Sequence, residues 1–434
     1  MSKHSGSSFK VLIAGGSLGD FAPKFGASIG LHPQSLRILD QLGVWEDIEQ
    51  LIVPLRNRKH YDATGYCFED SQVLVEINQL LRRPIIFMER SKALEVLHSH
   101  IQNKPKLHAR NAVVEYEELP DGVLVTTELG ATIRGDILVG GDGIHSGVRR
   151  LMAAKIRSTS PDLADRLVNG PGFTSEYNCI FGISRNDPLN PFLPDATVHN
   201  VYYKNYPAVS ATGVPGLVFW FLFVKASSTT RTPDCPRFND TDAEALIGEY
   251  GSAQVGPGYS VRDLWETGVK AAMTPLEEGV LDQWSHGRVV LMGDATVNIG
   301  LGGNLAYEGI GRFMNALVPL LGHSPTPSLE QLTKLFNDFE ASQKPRANTV
   351  VNISGQVTRY EAQDTWLYKL ASRYIVPLVS DCAKARFYGD FANEGPWLQY
   401  LPLPLIDHAH PGQKLKRRSL TLSLAKYLRE HLLN

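Results

Sequence analysis

The chain is poor in cysteine and carries no excess charge of either sign. Its four cysteines, Cys67, Cys179, Cys235 and Cys382, lie far apart in 434 residues. No two form a C-x-x-C pair, so neither a zinc site nor a disulfide framework is expected; they read as reduced thiols in an intracellular protein. With 43 Lys and Arg against 45 Asp and Glu, the net charge is −2. No basic field exists to attract nucleic acid, and that class of partner is set aside. A run of about 18 apolar residues is missing too, so no membrane-spanning helix is expected. Met1–Ser8 is short and polar and reads as no secretory signal. There are no internal repeats and no low-complexity segments. What is present is 43% hydrophobic and 20% charged residues, enough for a sizeable core in roughly two to three domains.

Against that plain background, two glycine-aspartate segments stand out. One is Gly135-Asp136-Ile137-Leu138-Val139-Gly140-Gly141-Asp142-Gly143-Ile144-His145-Ser146, and the other is Gly287-Arg288-Val289-Val290-Leu291-Met292-Gly293-Asp294-Ala295. Each reads as a short apolar strand delivering an aspartate into a glycine-rich turn. A third piece, Val11-Leu12-Ile13-Ala14-Gly15-Gly16-Ser17, reads as a buried parallel strand ending in glycines. Dinucleotide sites are assembled from such parts: glycines admit the backbone to the pyrophosphate, and a carboxylate about 20 residues downstream holds a ribose. Here Pro23 follows closely and forbids a continuous crossover helix.

Between these pieces the pattern alternates. Pro33 opens a helix with Leu36, Leu39 and Leu42, closed by Gly43. Ser91 opens another carrying Leu94, Leu97 and Ile101. Ala112–Glu117 and Val123–Thr127 flank the turn Pro120-Asp121-Gly122 as a hairpin. From about 155 to 275 tyrosine, phenylalanine and proline become frequent, and Val218–Val224 is an almost unbroken apolar strand. A helix over Gly302–Leu321 is expected to bury Ala306, Ile310, Phe313 and Leu317, and Ser328 to cap a long helix reaching about Arg359. Pro377–Pro411 reads as loop, and Lys414–Leu433 as a basic amphipathic helix.

Taken as a set, these segments resemble the fungal FAD-dependent monooxygenases of meroterpenoid and indole-diterpene biosynthesis, of the aromatic-hydroxylase type. The likeness rests on Phe25–Pro33, Arg37–Gly43, Met88-Glu89-Arg90-Ser91, Gly135–Ser146 with Arg149, Gly293-Asp294, Gly300–Asn304, Tyr177–Ser184 and Val218–Lys225. It implies an α/β fold: a Rossmann-like FAD-binding domain (1–154 and 276–360), an inserted antiparallel-sheet substrate domain (155–275), and a helical C-terminal region with a basic tail (361–434). It implies FAD contacts at Gly15, Gly30, Arg90, Asp142, Asp294 and Gly303. It also implies an active-site tyrosine, placed at Tyr202, with Tyr203 and Tyr206 as register alternatives. The implied chemistry uses NAD(P)H and O2 to epoxidise or hydroxylate a lipophilic polyketide or terpenoid. Lys414, Lys416, Arg417, Arg418, Lys426 and Arg429, beside Leu420, Leu424, Leu428 and Leu432, suggest peripheral contact of the tail with an internal membrane.

The sequence departs from that family in two places. Where the family carries a helix, a strand and the ribose-binding glutamate, on the order of 25 residues or most of a βαβ unit, only Gly19-Asp20 stands between Leu18 and Phe21. Where it carries a histidine and a proline near the flavin, Val297 alone stands between Thr296 and Asn298. The first βαβ unit is therefore expected to be truncated, leaving one face of Lys10–Ala14 and a sheet edge exposed. The alternative to an active enzyme is a flavin-deficient, non-catalytic descendant that keeps only the substrate-binding scaffold.

Overall fold

The structure, a computed structural model, describes residues 8–15, 28–169, 173–298 and 302–404. The N-terminal apolar run forms strand β1 (Val11–Gly15). After it come β2 (Ser28–Leu31), helix α1 (Pro33–Gln41) and the short α2 (Trp45–Glu49). Pro33 sits in the first turn of α1, and Gly43, at φ 71°, takes the left-handed conformation that ends it. Strands β3 (Asn57–Asp62) and β4 (Cys67–Ser71) pair antiparallel, then α3 (Val73–Leu81) leads to β5 (Ile86–Glu89) and α4 (Arg90–Ser99). A three-stranded meander follows, β6 (Val113–Leu119), β7 (Gly122–Thr127) and β8 (Thr132–Gly135), one strand more than the expected hairpin. It feeds β9 (Ile137–Gly141), α5 (Gly147–Ile156) and α6 (Pro161–Asn169).

The next stretch supplies most of a large sheet: β10 (Thr174–Arg185), β11 (Thr197–Tyr202), β12 (Ala208–Ala211) and β13 (Leu217–Arg231). Helix α7 (Asp240–Tyr250), the pair β14 (Gln254–Gly256) and β15 (Tyr259–Ser260), and α8 (Val261–Glu266) precede β16 (Gly268–Val280). The chain then makes β17 (Ser285–His286), β18 (Val289–Leu291) and β19 (Val297–Asn298), and finishes in helices α9 (Gly302–His323), α10 (Leu329–Glu361), α11 (Trp366–Leu370) and α12 (Asp381–Asn393).

Two sheets organise these elements. The smaller has the order β1-β9-β18-β17, with β1, β9 and β18 parallel. Its core joins Leu138, Val139, Val289, Val290 and Leu291 to Val148 and Met152 of α5 and Phe313 and Leu317 of α9. The larger has the order β19-β16-β10-β13-β12-β11-β3-β4. It is not purely antiparallel as expected: β3, from far upstream, joins it parallel to β11. Its Trp220 and Leu222 pack against Ala243 and Ile247 of α7 and Val261 and Leu264 of α8. Gly182 is obligatory there, because a Cβ would lie 2.3 Å from the Trp220 ring.

As expected, β1 forms the edge of its sheet among the described residues. Ile13 is 68% exposed although it lies in the middle of an apolar strand. Residues 16–27 are all that join β1 to β2, and β2 pairs with β5 instead of extending the parallel sheet. A complete βαβ unit takes ~30 residues or more.

The helical layer holds two further departures from expectation. Ile310 is 48% exposed, so the buried stripe of α9 runs through Leu305, Phe313 and Leu317 instead. Asp381–Asn393 is helix where loop was expected: Ser380 caps it, its prolines lie only at the flanks, and its small Gly389 sits against Leu80 of α3. Glu308 of α9 and Arg346 of α10, 1% and 4% exposed at their side chains, form a two-pronged ion pair of 2.8 and 3.0 Å. Phe391 of α12 covers the guanidinium at 3.7 Å. The basic tail, Lys414–Leu433, lies outside the described residues. No helix among the described residues is long and apolar enough to cross a membrane.

Candidate functional site

The parallel strands place three of the expected residues at one end of one sheet. Gly15 pairs with Gly141, the last residues of β1 and β9. A Cβ on Gly15 would lie 2.3 Å from the Gly141 carbonyl oxygen, and its φ is 96°, so only glycine fits this approach. Asp142 follows Gly141 directly. Beyond β18 the Met292 N–H donates to the Gly140 carbonyl at 2.9 Å, which brings Gly293 and Asp294 alongside. In open α/β sheets this carboxyl end is where ligands bind.

The spacing Ser146-x-x-Arg149 has a physical reason. Ser146 caps α5 by accepting the Arg149 N–H, and the Arg149 guanidinium donates to the carbonyls of Ile144 at 2.5 Å and Ala295 at 2.8 Å. The second glycine-aspartate segment thus fastens the third. Asp142 is engaged locally: it accepts from the Ser146 hydroxyl at 2.5 Å and the Val148 N–H at 3.0 Å. Asp294 differs. It stands open to solvent in the turn Gly293–Ala295, yet the protein around it raises its carboxyl above the ordinary range, with the Arg90 charge opposing.

Gly30 and Gly303 converge on the same place. Asn304 donates to the Gly30 carbonyl at 2.8 Å and accepts from the His32 N–H at 2.9 Å and the Ser35 hydroxyl at 2.8 Å, so it locks β2 and α1 to the start of α9. A Cβ on Gly303 would lie 3.0 Å from the Ile29 side chain. Arg90 opens α4 directly after β5, the partner of β2. Its charge reaches Asp294, Tyr307 and Lys270, so these four share one electrostatic neighbourhood. Asn304, Tyr307 and Lys270 were not singled out from sequence. Asn304 was visible at the end of Gly300–Asn304, whereas Tyr307 and Lys270 carry no local signal.

An aromatic wall stands beside this neighbourhood. Phe87, in β5, meets Phe219 and Phe221 with ring centroids 6.2 and 6.0 Å apart. Phe221 pairs with Phe181 on one side and Val209 on the other, Val209 pairs with Asn200, and Asn200 with His60. Paired residues share a face, and Tyr202, two positions beyond Asn200, lies on it too.

Tyr202 is 3% exposed. Its hydroxyl is 3.1 Å from His60 Nδ1, and Phe68 and Tyr360 close over its ring edge-on at 5.3 and 5.8 Å. Burial, then the nearby Glu361 carboxyl, pushes the phenol well above its usual value; burial, with the charges of Arg58 and Lys384, holds His60 well below its own. Both are therefore neutral at pH 7. The two register alternatives lie elsewhere: Tyr203 and Tyr206 stack at 4.7 Å, and Tyr203 bonds to the backbone of Gln254.

An FAD molecule can be tested against these residues end by end. For the flavin and ribityl end there are Asp294, exposed in its turn, Arg90, and two glycines where β2 meets α9. The adenosine end lacks its grip. The ribose acid belongs about 20 residues after the glycines, on a strand beside β1. Residues 21–39 contain no Asp or Glu, no described strand lies beyond β1, and Asp40 is paired with Arg83 at 2.7 Å. Among the described residues, Asp294, Arg90, Gly30 and Gly303 fit the flavin half, and none fits the adenosine half.

No protein-family model matches the chain. Among characterised proteins it is 34% identical to the FAD-dependent monooxygenase penM of Penicillium crustosum, over 88% of this chain and 80% of that one. It is 33% identical to the FAD-dependent monooxygenase ptmM of Penicillium ochrochloron, over 83% and 85%. To paxM of Penicillium paxilli, also an FAD-dependent monooxygenase, it is 31% identical over 91% and 88%. Of solved structures, HpxO of Klebsiella pneumoniae complexed with FAD and uric acid superposes with a TM-score of 0.69 at 16% identity, over 89% of this chain and 97% of that one. The p-nitrophenol 4-monooxygenase PnpA of Pseudomonas putida does so at 0.65 and 14%, over 90% and 98%.

Proposed function

The chain belongs to the FAD-dependent monooxygenases, and from that premise we propose that it oxygenates a lipophilic small molecule in secondary metabolism, a polyketide or terpenoid, by epoxidation or hydroxylation. The overall balance is substrate, O2, NAD(P)H and a proton giving oxygenated substrate, NAD(P)+ and water. Bound FAD supplies the redox chemistry. The observation that carries the reading is the placement of the open Asp294 carboxylate and Arg90 next to the aromatic wall Phe87, Phe219 and Phe221.

In this proposal Asp294 accepts ribityl hydroxyls, Arg90 offsets phosphate charge with its planar fork, and Gly15, Gly30 and Gly303 let backbone approach the cofactor. Asp142 acts through the turn it builds with Ser146 and Val148. The apolar face of the large sheet excludes water and orients a lipophilic substrate. Tyr202 is a positioning residue that holds that face through His60, Phe68 and Tyr360. The FAD-binding unit comprises 1–154 and 276–360, although its β3 and β4 complete the sheet of the substrate unit, 155–275; the C-terminal region is 361–434, and the chain works in the cytoplasm or, through its basic tail, at an internal membrane surface.

One observation favours a second reading. The open edge at β1 and the exposed Ile13 mark a cofactor-binding unit that is incomplete, as in a descendant that keeps only its substrate scaffold. The two readings separate on a single measurement: NADPH oxidation and O2 uptake by the purified chain with added FAD. Flavin-dependent uptake above that of free FAD is expected, and its absence from folded protein selects the scaffold reading.

A further inference from the structure

We propose that this chain holds flavins by the isoalloxazine and ribityl end alone and does not distinguish FAD from FMN. The proposal rests on the monooxygenase reading above and narrows its ligand. FAD and FMN share the flavin ring, the ribityl chain and the first phosphate; they differ only in the adenosine monophosphate that FAD adds. Asp294, Arg90, Gly30 and Gly303 would meet the shared part, and Gly15, at the end of β1, would meet the phosphates. Asp294 stands exposed in the turn Gly293–Ala295 within reach of the Arg90 charge, and Asn304 ties the Gly30 carbonyl to the start of α9, where Gly303 packs on Ile29. Gly15 and Gly141 close the strand ends.

Among the described residues, no part that would read adenosine is present. No acid lies in residues 21–39. Asp40, the next carboxylate, points into its own ion pair with Arg83, whose side chain is 6% exposed. The edge of β1, where the acid-bearing strand belongs, is the sheet's boundary among the described residues, and Ile13 there is 68% exposed. A ligand's extra half adds affinity only where the protein meets it, at about 1.4 kcal/mol for each tenfold. With no described residue placed to meet it, the adenosine half adds little and loses freedom if it is ordered at all.

The test is to titrate the full-length chain, stripped of flavin, with FAD, FMN and riboflavin, reading the quenching of flavin fluorescence and the heat of binding. FAD and FMN are expected to bind with Kd values within about threefold of each other. FAD binding more than about tenfold tighter than FMN overturns the proposal and leaves the monooxygenase reading intact. Failure of all three flavins to bind a chain with native circular dichroism overturns both. Asp294→Ala, at an exposed position, is the control: it should weaken FAD and FMN by the same factor, at least about fivefold. Weakening of FAD alone would show an adenosine contact and sink the proposal.

Discussion

The two sheets of this molecule are built on the same economy of apolar strands, yet one is complete and the other is not. In the eight-stranded sheet β10 is flanked on both sides, by β13 and β16, along nearly its whole length. In the parallel sheet β9 and β18 are as deeply buried as any strand in the chain, while β1 pairs on one side only and leaves Ile13 in water. The gap is confined to one edge. It spares the strand ends that carry Asp142 and Asp294 and removes what would lie beyond β1. In the proposed reading, the chain keeps the half of a cofactor site built by its interior strands and lacks the half built at its margin.

The sharpest way to break that comparison is to attack the complete sheet. Trp220 is 1% exposed, and its indole N–H donates to the Ser184 hydroxyl at 2.8 Å. Trp220→Ala should destabilise the chain by about 3–5 kcal/mol, read as a shift in the urea midpoint. A loss under about 1 kcal/mol would mean that the large sheet is no better consolidated than the edge at β1.

Acid should also strike the large sheet. Burial holds His199 of β11 at about 4, and His60 of β3 well below its usual value. In the unfolded chain each takes up its proton near pH 6.5; folded His199 does so only near pH 4. The unfolded state thus binds more protons between these values, and stability falls as pH drops through that window while staying flat above about pH 7. For His199 the loss from pH 7.5 to 5 is about 2 kcal/mol. Urea melts at the two pH values should differ less in His199→Gln, and an unchanged difference would remove His199 from the account.

Completing the broken sheet is the reciprocal experiment. Inserting about 25 residues between Leu18 and Phe21, enough for most of a βαβ unit with a strand that ends in glutamate, should raise FAD affinity tenfold or more, about 1.4 kcal/mol. FMN affinity should stay within about threefold. Equal gains for both flavins would place the defect elsewhere than at adenosine.

How much of this was legible in the sequence follows the reach of each interaction. Pro33 with Gly43, Ser328 ahead of α10, and the turn at Pro120-Asp121-Gly122 are local signals, and the elements formed where they pointed. The glycine-aspartate segments were legible because strand and turn are contiguous in the chain. The parallel pairing of β3 with β11 was not, since it joins Asn57–Asp62 to Thr197–Tyr202 with no shared turn. Tyr202 came only from the family resemblance, with Tyr203 and Tyr206 as alternatives, because its partner His60 lies 142 residues away. Helix α12 was hidden by the prolines on either side, although Ser380 and the small residues Ala385, Gly389 and Ala392 wrote a cap and a packing face between them. Asn304 was in view, but its three bonds to Gly30, His32 and Ser35 close across more than 260 positions.

The smallest effect gives the finest discrimination. Ile13→Thr keeps a β-branched side chain in β1 and replaces one 68% exposed, so the stability of this chain should change by less than about 0.5 kcal/mol. Aggregation during a sedimentation run should fall, because an apolar edge strand is a template for pairing between copies. In the chain carrying the inserted segment the same substitution should become expensive, about 1–3 kcal/mol, because the hydroxyl would now be buried under the new element. The difference between the two values is a coupling between Ile13 and the inserted residues. A coupling near zero would mean that the insert does not cover β1, and that the exposed isoleucine and the missing ribose acid are separate accidents, not two marks of one lost unit.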